Sequence, residues 1–147
     1  MFKPKRILVT TDFTAECDVA LREAVGIGEQ FRSTIYLLHV IDEPLQYGFD
    51  YPLAESVIAA GHDRLRDEAL SRMDEMISRV APDSMVQIMK EIRFGSTIHE
   101  IIAAERDHGI DLVMAATHRP RRRWLGNNHH LMKDLVNRST CEAMIVR

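Results

Sequence analysis

Residues 7–12, Ile-Leu-Val-Thr-Thr-Asp, are the starting point for predicting the architecture: a short β-branched run stops abruptly at two threonines and an aspartate. A run this short and apolar predicts a strand buried on both faces rather than a helix. Thr14 follows in a turn and predicts the N-cap of a helix. Apolar side chains then recur at helical spacing, at Cys17, Leu21, Ala24, Val25, Gly28 and Phe31.

The same alternation of strand and helix continues along the chain. Strands are predicted over 34–41, 86–94, 111–116 and 143–146, and helices over 54–80, 98–109 and around 131–136. Alternating elements with apolar strands predict an α/β fold, an open parallel sheet with helices on both faces and right-handed crossovers. Polar loops are predicted over 42–52, which is rich in aromatic residues, and over 118–128.

Ligands of such sheets bind at the carboxyl ends of the strands, where the winding direction reverses. That rule places Asp12, Val40 and the segment after Ala116 around one crevice. Within that segment, Arg119, Arg121, Arg122, Arg123 and Trp124 form an unusual basic run. It is interpreted as a solvated loop that pairs with acidic residues, or as an anion site in which arginines hold phosphate oxygens.

Composition excludes several classes of protein. The 147 residues fit one domain, 1–147, with 46% apolar and 28% charged residues. A net charge of −3 disfavours nonspecific nucleic-acid binding. No apolar stretch has the length of a membrane span or the form of a signal peptide, so a cytoplasmic location without membrane contact is expected. Cys17 and Cys141 show no metal-ligand spacing.

Five segments, in this order and spacing, resemble the universal stress protein family: 7–14, 37–42, 94–101, 111–118 and 141–146. The resemblance runs nearly end to end. It implies an adenine-nucleotide alpha-hydrolase-like, Rossmann-like sheet in the order 3-2-1-4-5 with two helices on each side. It also implies a homodimer, and the predicted edge strand from Ala143 to Val146 is the attractive pairing surface.

Family members that bind ATP carry a Gly-x2-Gly-x9-Gly-Ser/Thr pattern after the fourth strand, where bare main chain cradles phosphate. This sequence keeps the spacing but replaces the residues with Ala116, Arg119, His129 and His130. Asp12 matches a family residue near the nucleoside, and Val40 matches a backbone contact to the base. The candidate nucleotide or anion crevice therefore comprises Asp12, Val40, Ala116, His118, Arg119, His129 and His130.

Three functional hypotheses follow. The leading one is a non-enzymatic stress-response dimer that lacks the glycine-cradle ATP site, has no bound cofactor or metal, and acts through an unknown protein partner. The second is an adenine-nucleotide switch for ATP or AMP, in which the arginines of loop 119–123 replace the glycines. The third is a weak ATP hydrolase, although no Gly-x-Ser-x-Gly, Gly-Lys-Ser/Thr or His-Glu-x-x-His motif occurs.

Overall fold

A computed structural model describes residues 1–42, 55–117 and 128–147, with the side chains of residues 128 and 129 excepted. Strands and helices alternate throughout these ranges, as the sequence predicts. The strands are β1 (Arg6–Thr10), β2 (Thr34–Ile41), β3 (Ile88–Phe94), β4 (Leu112–Ala116) and β5 (Glu142–Val146). The helices are α1 (Ala15–Phe31), α2 (Glu55–Val80), α3 (Thr97–His108) and α4 (Asn128–Arg138).

The five strands form one parallel sheet in the order β3-β2-β1-β4-β5. This order confirms the expected fold class. β1 is the central strand, since it pairs with β2 on one side and β4 on the other. The chain winds outward from β1 in both directions, so the carboxyl end of β1 is the topological switch point.

Two apolar layers cover the sheet. Helices α1 and α2 pack on one face, where Leu21, Met73 and Met76 are fully buried against side chains of β1 and β2. Helices α3 and α4 pack on the other face, where Ile101 and Leu135 are buried against β1, β2 and β4. Both faces of β1 are therefore dry, which explains why its sequence is continuously apolar rather than alternating.

Some predicted bounds differ from the structure. β3 begins at Ile88 rather than at residue 86, because the backbone N–H of Val86 donates to the Ser84 hydroxyl in a turn. Helix α4 begins at Asn128, earlier than the apolar periodicity indicated. Most of the predicted loop 42–52 and nearly all of the loop 118–128 lie outside the described residues.

Glu105 fixes the turn that leads into β5. Its side chain is only 2% exposed and accepts hydrogen bonds from the Ser139 hydroxyl at 2.9 Å and the Thr140 N–H at 2.9 Å. The Thr140 hydroxyl adds a third donor at 3.2 Å. A buried carboxylate needs such donors to offset its desolvation, so this contact ties α3 to the start of the edge strand.

Two glycines of α1 provide a test of this packing. An added Cβ at Gly28 would lie 2.9 Å from Cγ1 of Val86, a stiff β-branched side chain, whereas an added Cβ at Gly26 would have no heavy atom within 4 Å. We expect Gly26→Ala to raise the free energy of unfolding by about 0.5–1 kcal/mol, because glycine weakens helix interiors. We expect Gly28→Ala to lower it by about 1–3 kcal/mol through overpacking. Urea denaturation of both variants checks this, and equal stabilisation by the two would contradict it.

Candidate functional site

A cavity of about 170 Å³ opens at the carboxyl edge of the sheet, at the switch point. Its walls come from the ends of β1, β2 and β4 and from helices α1, α3 and α4. The lining is mixed, with polar groups on the strand ends and apolar side chains on α3 and α4. The lining residues are Thr10, Thr11, Asp12, Cys17, Leu38, His39, Val40, Thr97, Ile101, Ala116, Leu131 and Met132.

Thr11 joins β1 to the neighbouring strand at the mouth of this cavity. Its N–H donates to the Leu38 carbonyl at 2.9 Å, and its own carbonyl accepts a 2.7 Å hydrogen bond from Nδ1 of His39. Its buried hydroxyl accepts the Phe13 N–H at 2.9 Å. These three bonds fix the direction in which the chain leaves β1.

Asp12 organises the start of α1. Its Oδ1 accepts hydrogen bonds from the Thr14 N–H at 3.1 Å, the Thr14 hydroxyl at 2.7 Å and the Cys17 thiol at 3.2 Å. Thr14 occupies the predicted N-cap position, but among the described residues its side chain does not cap a helix N–H. The predicted N-cap position is thus confirmed, while the Thr14 hydroxyl donates instead to the Asp12 carboxylate, which is a stronger, charged acceptor.

Three side chains pack together behind the β1–α1 turn. Phe13 adopts a positive φ of 66°, and its ring lies 4.6 Å from the His39 ring, centroid to centroid. The Arg72 guanidinium of α2 lies 4.3 Å from the Phe13 ring centroid, within cation–π range. A left-handed backbone is unusual for a bulky residue, so these contacts hold the turn in a strained form.

Two ionisable groups at the cavity are shifted toward their uncharged forms. Burial lowers the pKa of His39, although the bond to the Thr11 carbonyl opposes this shift. Because a carbonyl only accepts, Nδ1 of His39 carries a proton and the neutral ring is the Nδ1–H tautomer. Burial also raises the pKa of the Cys17 thiol. Cys17 is therefore held as a packed thiol rather than as a reactive thiolate.

Comparison with known proteins identifies the family. The sequence profile of the universal stress protein family matches residues 3–147. The chain belongs to this family. It is 25% identical over 126 residues to universal stress protein MJ0577 of Methanocaldococcus jannaschii. The aligned region covers 78% of this chain and 76% of that protein.

Solved structures agree on the fold. The structure is similar to that of universal stress protein UspA from Lactobacillus plantarum, with a TM-score of 0.77, 24% identity and full coverage of both chains. It is also similar to a universal stress protein from Archaeoglobus fulgidus in complex with dAMP, with a TM-score of 0.65 and 11% identity. That match covers 99% of this chain and 100% of that one. Because both identities are below 25%, the similarity to these structures shows the fold alone.

Three of the residues predicted for the crevice lie together. Asp12, Val40 and Ala116 all line the cavity, at the ends of β1, β2 and β4. His118 and Arg119 lie outside the described residues, as do Arg121, Arg122, Arg123 and Trp124. His129 and His130 belong to the first turn of α4. The His129 side chain is not described, and the exposed His130 is not among the lining residues.

The sequence analysis did not predict the residues that helices α3 and α4 contribute to the cavity. Thr97 and Ile101 of α3 and Leu131 and Met132 of α4 complete the cavity wall. Thr97 follows the Gly95-Ser96 turn at the same edge of the sheet, which is a signal that could have located it. Leu131 and Met132 carry no such signal, because apolar helix residues look alike whether they line a core or a cavity.

In residues 1–42, 55–117 and 128–147, no group of three or more His, Cys, Asp or Glu side chains is arranged to hold a metal ion. No helix in these ranges has the length and apolar character needed to cross a membrane.

The burial of His39 makes the free energy of unfolding depend on pH in a defined direction. The pKa of His39 is lower in the folded than in the unfolded state, so below about pH 6.5 the unfolded chain binds the extra proton more readily. We therefore expect the free energy of unfolding to fall as pH drops from about 7 to 5. His39→Phe keeps an aromatic ring beside Phe13 and removes this contribution.

Urea denaturation across this pH range, on wild type and His39→Phe, gives the measurement. The difference between the two proteins isolates His39 from the carboxylates. The matched control is His99→Gln, at an exposed position of α3, which should leave the pH dependence unchanged. An identical pH slope in wild type and His39→Phe would contradict the assignment.

Proposed function

We propose that this chain is a non-enzymatic stress-response module that binds an adenine nucleoside monophosphate in the switch-point cavity. The observation that carries the proposal is the convergence of Asp12, Val40 and Ala116 on one cavity at the carboxyl edge of the sheet. This is the place where open α/β sheets bind their ligands. The dAMP complex of a structurally similar family member supports the same class of ligand.

The chemistry of the walls suits a nucleoside. Asp12 is exposed, and a carboxylate accepts hydrogen bonds from ribose hydroxyls. Val40 lies near the end of β2, while Leu131 and Met132 offer apolar surface on which a base can pack. Pockets that bind small molecules combine an apolar wall with a few placed polar groups in this way.

One feature of the sequence disfavours ATP on a main-chain cradle. Ala116, Arg119 and His129 stand where ATP-binding relatives have glycine. Ala116 is itself nearly fully buried at the cavity wall. The methyl group of Ala116 therefore takes up space that a triphosphate on bare backbone would need.

The non-enzymatic part of the proposal is supported by the state of the ionisable groups. The pKa of Cys17 is raised by burial, so the thiol is a poor nucleophile. His39 donates from Nδ1 to a backbone carbonyl and is packed against Phe13. Both groups serve the turn itself rather than a reacting ligand.

Calorimetric titration with AMP, dAMP, ADP and ATP tests the ligand class. We expect AMP and dAMP to bind and ATP to bind more weakly. Asp12→Asn should weaken AMP binding by about tenfold or more, the scale of one charge-assisted hydrogen bond. Asp67→Asn, on the exposed face of α2, is the matched control. No heat with either monophosphate would overturn the proposal. ATP binding tighter than AMP binding would instead indicate that the chain holds a triphosphate on its main chain, as ATP-binding relatives do.

The arginine loop is a separate question with its own variants. Arg119→Ala, Arg121→Ala and Arg123→Ala should weaken AMP binding if these side chains replace the glycine cradle. Unchanged affinity in all three would assign the loop to solvent and leave the cavity as the whole site. Phosphate release from ATP above a buffer blank, abolished in Asp12→Asn, would instead favour the hydrolase hypothesis.

We also propose that two copies pair through β5, because the two edges of the sheet differ in character. The β3 edge carries charged side chains, with Lys90 paired to Asp74 at 2.5 Å and Glu91 paired to Arg93 at 2.6 Å. Charges of this kind block edge-to-edge pairing. The β5 edge has the sequence Ala143-Met-Ile-Val146, so apolar side chains lie beside backbone groups that no described strand pairs.

Backbone geometry specifies the pairing. The Val146 carbonyl accepts the Thr117 N–H at 2.9 Å, so Val146 faces β4. Because backbone groups alternate along a strand, Ala143 and Ile145 face outward. An antiparallel, two-fold arrangement pairs Ala143 of each copy with Ile145 of the other and satisfies all of these groups. In this register Met144 lies opposite its counterpart, and Glu142 of one strand lies opposite Val146 of the other.

A proline tests the dimer without disturbing the sheet. Ala143→Pro removes an outward N–H but no hydrogen bond to β4, so we expect a folded monomer. Ala143→Ser keeps the N–H and is the matched control. Sedimentation velocity gives the mass of each, and far-UV circular dichroism confirms folding. A folded Ala143→Pro variant that remains dimeric would show that the interface lies elsewhere.

A further inference from the structure

We propose that Met144 is a site of oxidation by hydrogen peroxide, and that its conversion to the sulfoxide separates two copies paired through β5. The inference rests on the proposed dimer. Met144 is the central residue of β5 (Glu142–Val146), and it is 41% exposed in the single chain. A thioether at an exposed edge is open to oxidants.

Exposure separates Met144 from the methionines of the core. Met73, Met76 and Met114 are fully buried, and Met114 lies directly beside Met144 in the β4–β5 register. Oxidant therefore reaches Met144 and leaves its neighbour in β4 unmodified. Met85, which is 97% exposed near the opposite edge of the sheet, is equally open to oxidant but has no place in the β5 interface.

The proposed pairing places Met144 at the centre of the interface between the two copies. When Ala143 and Ile145 exchange hydrogen bonds across a two-fold axis, the axis passes beside Met144, so each Met144 lies opposite its counterpart. This central position is a non-hydrogen-bonded pair, in which Cα atoms approach to about 4.5 Å. Two thioethers then pack against each other, and one modification is felt by both copies.

The reaction is balanced by the peroxide alone. The sulfur lone pair attacks one peroxide oxygen, the O–O bond breaks, an S=O bond forms, and the second oxygen leaves as water. Sulfur loses two electrons and peroxide gains them. The product is a polar, chiral group where an apolar one stood. When two sulfoxides face each other in an apolar contact, their oxygens lose water without gaining hydrogen-bond donors. This desolvation cost weakens the association of the two copies.

Oxidation acts on the monomer, since pairing covers Met144. The rate of Met144 oxidation in wild type should therefore fall as protein concentration rises, while the rate at Met85 stays constant. Peptide mass spectrometry after timed peroxide exposure measures both in one sample. Equal dependence on concentration at the two sites would overturn the proposal, whatever the variants do.

Variants separate the modification from the contact. Met144→Leu keeps an apolar side chain of similar size and cannot be oxidised, so its dimer should survive peroxide. We expect the dissociation constant of wild type to rise by about tenfold or more after oxidation, as measured by sedimentation velocity. Met85→Leu is the control and should respond like wild type.

The two proposals fail in different ways. A wild-type chain that stays monomeric at all concentrations would remove the dimer and this inference together. A wild-type dimer that persists with Met144 fully converted to the sulfoxide would overturn this inference alone. Dissociation of Met144→Leu by peroxide would likewise assign the effect to another residue.

Discussion

The parallel pairing of β1 with both β2 and β4 is the constraint on which the rest of the structure depends. It buries β1 on both faces and makes its carboxyl end the point where the two halves of the sheet diverge. The two halves of the sheet are wound in opposite directions from this point, which leaves a crevice beside the strand ends. The cavity exists because the chain is wound in this way.

The turn after β1 converts that topology into a defined site. Thr11 binds β2 through its N–H and its carbonyl, and Asp12 gathers donors from the first turn of α1. The positive φ of Phe13 is maintained by packing against His39 and Arg72. Local strain is therefore balanced by contacts from three separate elements, which is a common feature of binding sites.

The two edges of the sheet meet the same physical problem differently. An edge strand leaves backbone groups unpaired and invites further strands. β3 carries ion pairs to α2 and α3, including Lys90–Asp74 and Arg93–Asp107. β5 carries apolar side chains, and the N–H of Thr140, just before the strand, donates a hydrogen bond to the Glu105 carboxylate of α3. Charge thus disfavours strand pairing at the β3 edge, and β5 is the edge through which we propose that two copies associate.

The sequence by itself determined the order of elements, the parallel class of the sheet and the location of Asp12, Val40 and Ala116 at one edge. These follow from hydrophobic periodicity, which is local, and from the rule that parallel strands share their carboxyl ends. Strand order came from family resemblance, because pairing between strands far apart in the chain leaves no local pattern. The tertiary structure was needed to show that His39 of β2 donates to the Thr11 carbonyl and that Leu131 and Met132 line the cavity. Such choices depend on which side chains meet across elements, and distances between elements are set only when the whole chain has packed.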